Sequence, residues 1–183
     1  MLLKKLKTIK KRFLGQFVLE DYVKMGLIVG RNFKYALSTR LDYTHCWHIK
    51  IGDDVTFAPD VMVLAHDTST KLHLNHTKIR NVIIGNRVFV GARVVILPGV
   101  NIGNDVIIGA GSLVSKDIPS GSVVTGNPAK IICSTTNYIN NQKKKMLELN
   151  VFSSSYTVMG NITEDRKLDM ISKTTEFGQS FVV

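Results

Sequence analysis

The sequence is short of the residues that staple a chain or anchor it in a bilayer. It has two cysteines in 183 residues, Cys46 and Cys133. Two distant thiols are no disulfide framework, which points to a reducing compartment. No run is apolar for long enough to span a bilayer. The first residues, MLLKKLKTIKKRFLGQF, lack the unbroken apolar stretch of a signal peptide. The expected location is cytoplasmic, with peripheral contact at an anionic membrane face left open. No helix-turn-helix, RNA-binding or zinc-finger pattern occurs, so a nucleic-acid partner is not expected. Acidic residues are outnumbered 14 to 24 by Lys and Arg, leaving a net charge of +10, and six of the first twelve residues are basic. Such an excess suits an anionic partner or a phosphate-bearing cofactor, and equally a solvated helix face.

A six-residue period fills the middle of the chain. From Ile84 the sequence divides without a gap into IGNRVF, VGARVV, ILPGVN, IGNDVI, IGAGSL and VSKDIP. The first position reads Ile84, Val90, Ile96, Ile102, Ile108, Val114, and the second is mostly glycine. One aliphatic every six residues fits neither a helix nor an alternating strand. It fits a solenoid of short flat faces joined by tight corners, in which each coil buries its aliphatics against the next. An antiparallel meander is the competing reading, and six in-phase hexads weigh against it. Upstream, IGDDVT, FAPDVM and VLAHDT keep the period. Val63 and Ile84 are 21 residues apart, three more than a coil of 18, so a loop is expected within residues 67–82. Residues 29–48 read as a first, less regular coil.

The expected organisation is a basic amphipathic helix over 1–24, a β-helix domain over 25–134 and a helical tail over 135–183. The first helix carries Leu2, Leu3, Leu6, Ile9, Phe13, Phe17 and Val18 near helical spacing. In the tail, 138–149 has helical patterning, and Thr163 before Glu164 and Asp165 marks a helix start.

The block from Ile83 to Ile132, with ILPGV, IGAGS, KDIP and GNPAK in that order, resembles the maltose, galactoside and capsular-polysaccharide O-acetyltransferases of the hexapeptide-repeat superfamily. The resemblance covers about residues 28–133. APDVMVLAHDTSTK is similar to the active-site segment of the polysaccharide-modifying branch. The resemblance implies a mainly β fold, a left-handed parallel β-helix, assembled as a homotrimer. Acetyl-CoA would lie between subunits and a carbohydrate acceptor would take the acetyl group.

His66 in LAHD matches the catalytic histidine of those enzymes. An imidazole is suited to take a hydroxyl proton as attack begins. Asp67 or Asp42 could hold the ring in the useful tautomer. His45 and His48 could line the acceptor site, and Trp47 could stack on a sugar, although each also reads as scaffold or core. By resemblance, Ala92 and Ala110 offer backbone N–H groups to the oxyanion. Phe89 stands where relatives have tryptophan, and Gly91 lets the chain approach the thioester. Lys116 and Lys130 match basic positions on the coenzyme, and Gly126, Pro128 and Ala129 shape its adenine end. Three other readings remain open: an amine acceptor, a non-catalytic trimeric binding protein, and a zinc hydratase using His73 and His76. No histidine occurs between residues 77 and 183, so no metal is expected in the repeat.

Overall fold

The computed structural model describes residues 18–183. Most of the basic helix expected over 1–24 therefore lies outside the described residues. Within them, a helix spans Leu19–Lys24, and the Asp21 carboxylate accepts from the Val18 N–H at 3.1 Å. Tyr22 ties this helix to the first coil by donating to Leu41 O at 3.2 Å. Among the described residues no helix is long and apolar enough to cross a membrane.

Four coils follow, each laying one short strand on each of three faces. The first coil carries β1 (Ile28–Val29), β2 (Lys34–Tyr35) and β3 (Arg40–Leu41); the second carries β4 (Ile49–Ile51), β5 (Thr56–Phe57) and β6 (Met62–Val63). The loop between the second and third coils contributes β7 (His66–Asp67) and β8 (Lys78–Ile79). The third coil carries β9 (Val82–Ile84), β10 (Phe89–Val90) and β11 (Val95–Ile96); the fourth carries β12 (Asn101–Ile102), β13 (Ile107–Ile108) and β14 (Leu113–Val114). Face one is β1-β4-β9-β12, face two runs β2-β5-β10-β13-β15-β16 and face three is β3-β6-β11-β14. Pairing within the coils is parallel and in register: Phe57 pairs with Val90 and Val90 with Ile108. β15 (Ser122–Thr125) extends face two, and β16 (Lys130–Ser134) closes it antiparallel.

The inward aliphatics form one column. Val63, Ile84, Val90, Ile96, Ile108 and the fifth-position Val55, Val88, Val94 and Val106 are all at most 1% exposed. Each such side chain contributes about 1.5–3 kcal/mol by leaving water. Ser112 breaks the column at a fifth position, and its hydroxyl is satisfied by Gly109 O at 2.6 Å and Gly126 N at 3.1 Å.

The structure corrects two sequence-level details. The small second residue of each hexad suggests, from the sequence, that the sharp bend falls there. The left-handed backbone instead falls at the fourth position: φ is 54° at Arg87, 59° at Arg93, 57° at Asp105 and 92° at Gly99. The second-position glycine answers a different need. A Cβ on Gly91 would stand 2.5 Å from the Ala110 nitrogen, so successive coils could not close. The loop is also longer than the count of three extra residues. β6 on face three is followed by β9 on face one, a single face step, and Val90 to Ile96 shows that such a step takes six residues. The 21 residues from Val63 to Ile84 therefore hold 15 more than a regular step (21 − 6). A phase slip is defined only modulo six, so periodicity alone could not separate the two counts.

Residues from Thr136 onward form a second compact unit. Its helix Glu164–Phe177 begins at Thr163, whose hydroxyl accepts from Arg166 N, and ends at Gly178 with φ 70°. Strands β17 (Val151–Phe152) and β18 (Phe181–Val182) pair in parallel. Ile96→Ala should cost about 2–5 kcal/mol in urea unfolding, the range for emptying a close-packed site. Lys50→Ala, on the outer side of face one, should change stability by under about 0.5 kcal/mol.

Candidate active site

The regular coil gives way at His66. Its strand β7 leaves the prism and pairs antiparallel with β8, His66 opposite Ile79 and Asp67 opposite Lys78. A helical turn, Lys71–Leu74, caps the loop. One coil earlier, the chain leaves face three at Leu41 and returns at Ile49 through a 3-10 turn, Cys46–His48. The two irregular crossings lie on the same edge of the prism, because β3 and β6 are paired, Leu41 against Val63.

Asp42 links them. It is only 5% exposed. Its Oδ2 accepts from the backbone N–H of Ala65 at 2.9 Å and of His66 at 3.0 Å, and from His66 Nδ1. Its Oδ1 accepts from the Thr44 hydroxyl at 2.9 Å. Burial pushes the carboxyl upward, but the Ala65 amide, the His66 imidazole and the Thr44 hydroxyl outweigh it and hold the group below its ordinary value. An ionised carboxylate only accepts, so Nδ1 of His66 carries a proton, and in the neutral ring Nε2 is the nitrogen with the free lone pair. Thr44, having given its proton to Asp42, accepts from His45 Nδ1 at 2.9 Å. The His45 ring lies 4.9 Å from His66 and 5.5 Å from Trp47. Trp47 is 52% exposed, while His48 Nδ1 is held by Asn81 Oδ1 at 2.7 Å.

Of the two carboxylates left open by the sequence, Asp42 meets His66. Asp67 is turned to Lys78 Nζ at 2.6 Å, and Lys78 with the Ser69 amide holds it far below the usual carboxylate range. Sequence reasoning passed over Thr44, Asn81 and Arg80. Thr44 lies two residues after Asp42, a signal that could have flagged a local hydrogen bond. His73 and His76 are exposed on the loop. The ligand atoms of Asp42, His45 and His66 do lie within 4.8 Å of one another, a set able to hold a cation. The Thr44 hydroxyl stands within hydrogen-bonding range of all three.

The coenzyme candidates sit elsewhere. Gly91, Ala92 and Ala110 lie on the edge between faces two and three, and Phe89, 46% exposed, flanks it on face two. Gly126 and Ala129 continue that edge over β14, bonded to Leu113 N at 3.0 Å and Leu113 O at 2.8 Å. Pro128 and Lys130 are exposed beside them. Lys116 is instead on the His66 edge, two residues past Val114, which aligns through Ile96 with Val63.

The two edges differ in backbone satisfaction. Between faces one and two, each third-position N–H is taken by a side chain of the next coil: Arg31 by Asp53 at 2.7 Å, Asp53 by Asn86 at 2.8 Å, Asn86 by Asn104 at 2.7 Å and Asn104 by Ser120 at 2.9 Å. Between faces two and three the equivalent N–H groups of Ala92 and Ala110 have no acceptor among the described residues. They are unspent donors on a rigid corner.

A coiled prism with an imidazole at one edge and spare amides at another defines a class, and comparison with known proteins specifies it. Residues 81–116 match the family described as bacterial transferase hexapeptide (six repeats). The chain is 33% identical to Protein CapG of Staphylococcus aureus over 163 residues, 86% of this chain and 90% of that protein. It is 42% identical over 109 residues to the galactoside O-acetyltransferase of Escherichia coli K12, covering 57% of this chain and 52% of that enzyme. A solved galactoside acetyltransferase in complex with coenzyme A superposes with a TM-score of 0.53 at 30% identity, covering 65% of this chain and 70% of that one. With nine-tenths of CapG covered, the chain belongs to the bacterial hexapeptide-repeat transferases and winds as their left-handed β-helix. It spans between 52% and 58% of the length of three other curated relatives.

Acid should expose the role of Asp42 in stability. Its folded value is depressed, so its contribution is complete above the unfolded carboxylate range near 3.8 and is lost as pH falls through the lower folded value. Urea midpoints between pH 6 and pH 3 should drop for the wild type, and Asp42→Asn should flatten that acid limb.

Proposed function

We propose that this protein transfers an acetyl group from acetyl-CoA to a sugar hydroxyl, with His66 as general base. The observation that carries the proposal is the buried Asp42 carboxylate on His66 Nδ1, which leaves Nε2 as the acceptor of a proton. In the reaction the acceptor hydroxyl gives its proton to Nε2 as its oxygen bonds to the thioester carbon. Asp42 stays ionised and stabilises the imidazolium. The oxyanion takes the N–H of Ala92 or Ala110, donors with no other partner among the described residues. Collapse breaks the C–S bond, and the imidazolium returns the proton to the leaving thiolate. Lys130 beside the edge of Ala92 and Ala110, and Lys116 from the His66 edge of a second copy, face the coenzyme's phosphates.

The same geometry supports a homotrimer. Within one chain, face three separates His66 from Ala92 and Ala110. A thioester on one edge therefore meets the imidazole of a second copy, and three copies related by rotation close the ring. A carbohydrate acceptor accords with the galactoside specificity named for the relatives. The proposed setting is cytoplasmic.

His66→Ala should lower acetyl-CoA turnover about 100- to 10,000-fold with the oligomer intact. Asp42→Asn places a donor against Nδ1 and favours the wrong tautomer, so kcat should fall by up to about 10,000-fold. Lys130→Ala should raise KM for acetyl-CoA and spare kcat. Steady-state assays over an acceptor panel measure all three, and unchanged turnover in His66→Ala removes the imidazole from the chemistry. Mild alkali separates the products, since an ester is cleaved and an amide survives.

A further inference from the structure

We propose that the acceptor is an anionic sugar and that Arg80 reads its charge. The inference rests on the sugar acetyltransferase reading above and adds a substrate class to it.

Arg80 follows β8 directly, and its N–H donates to Ala65 O at 2.9 Å, which pins its backbone beside His66. Its side chain lies on Gly99: a Cβ there would stand 2.6 Å from Nε and 2.8 Å from Cζ. Gly99 is three residues past Ile96, as His66 is three past Val63, and Ile96 and Val63 are paired. The side chain thus occupies the edge from which His66 departs, one coil further on.

Its electrostatic position differs from that of three arginines on neighbouring edges of the coils. Arg31 pairs with Asp53 at 2.8 Å, Arg87 with Asp105 at 2.6 Å and Arg93 approaches Asp60 at 4.0 Å. On the same hairpin, Lys78 is neutralised by Asp67. The Arg80 guanidinium has neither a hydrogen bond nor an ion pair among the described residues. It is a positive charge without a carboxylate at the mouth of the reaction site. Asn81, the next residue, grips His48, whose ring lies 6.0 Å from the exposed indole of Trp47. Along the edge that carries His66 the chain therefore offers an aromatic surface one coil before it and a forked cation one coil after it. That pair suits a pyranose bearing a carboxylate or phosphate: the ring's apolar face lies on the indole and the anion takes two parallel N–H bonds.

Trp47 is the chain's one tryptophan, so its fluorescence reports occupancy directly. Methyl β-D-glucuronide, glucose 1-phosphate and methyl β-D-glucoside are titrated separately into the full-length protein, with coenzyme A as a fourth arm. The wild type should bind at least one anionic sugar about tenfold more tightly than the neutral glucoside, the scale of one charge-assisted pair. The stronger of the two identifies carboxylate or phosphate as the group read. Arg80→Gln should abolish the preference, Arg80→Lys should keep part of it, and neither should change coenzyme A affinity or the far-UV circular dichroism. Equal or undetectable binding of charged and neutral sugars by the wild type overturns the proposal. So does an Arg80→Gln variant that keeps the preference, or that loses coenzyme A affinity instead, which would assign the cation to the coenzyme's phosphates. Acetyl-CoA turnover on the same preparations separates the two layers. A missing charge preference with turnover intact removes only the role of Arg80, whereas a charge preference without turnover on any acceptor removes the transferase reading beneath it.

Discussion

Every feature of the β-helix depends on coils stacking in register. A single coil has no interior; its inward aliphatics leave water only when the next coil lies over them. The pairing Phe57–Val90–Ile108 and the stacked Val63–Ile96–Val114 show the same offset repeated from coil to coil. That repetition converts a position in the hexad into a position in space. Third residues become an edge, outward strand residues become a face, and any departure from the period becomes a protrusion at a known corner. The second-position glycine sets how close coils come, and the positive φ at the fourth position sets how sharply each face turns.

The polar cluster around His66 forms where that regularity is broken. The two irregular crossings, one after Leu41 and one after Val63, fall on one edge of neighbouring coils. The backbone amide of fully buried Ala65 and that of part-buried His66 would otherwise lack an acceptor there. Asp42 supplies the acceptor for both and for the imidazole at once. The carboxylate is therefore structural and chemical in the same contact: the bonds that fix the loop's departure also fix the histidine's tautomer. Thr44 extends the arrangement to His45, so a chain of directed hydrogen bonds runs from a buried carboxylate to the aromatic rim.

The prism also sets His66 and the amides of Ala92 and Ala110 on different edges. Edges are separated by flat faces, and face three keeps the unspent amides of Ala92 and Ala110 away from His66. The side-chain ladder from Arg31 to Ser120 saturates the amides of the edge between faces one and two. The edge that carries Ala92 and Ala110 has small residues and no such ladder, leaving donors for something outside the chain.

The repeat was legible in the sequence because burial recurs at fixed spacing: six hexads placed Ile84, Val90, Ile96, Ile102, Ile108 and Val114 in the core before any coordinates. His66 stood out because the period stops there, within a segment that resembles known active sites. The length of the inserted loop was misjudged, since a period conveys phase but not how many faces a gap skips. The choice between Asp42 and Asp67 was beyond the sequence as well. Asp67 is the nearer in the chain, yet β7 pairing turns it to Lys78, whereas Asp42, 24 residues away, is brought to the imidazole by the stacking of one coil on another. Thr44, and the placing of the Arg80 side chain on Gly99, emerged only from contacts between coils. Local spacing determined the architecture because each hexad folds against a copy of itself. The site was decided by tertiary structure because its members are neighbours across the coil axis, a direction along which sequence distance carries no information.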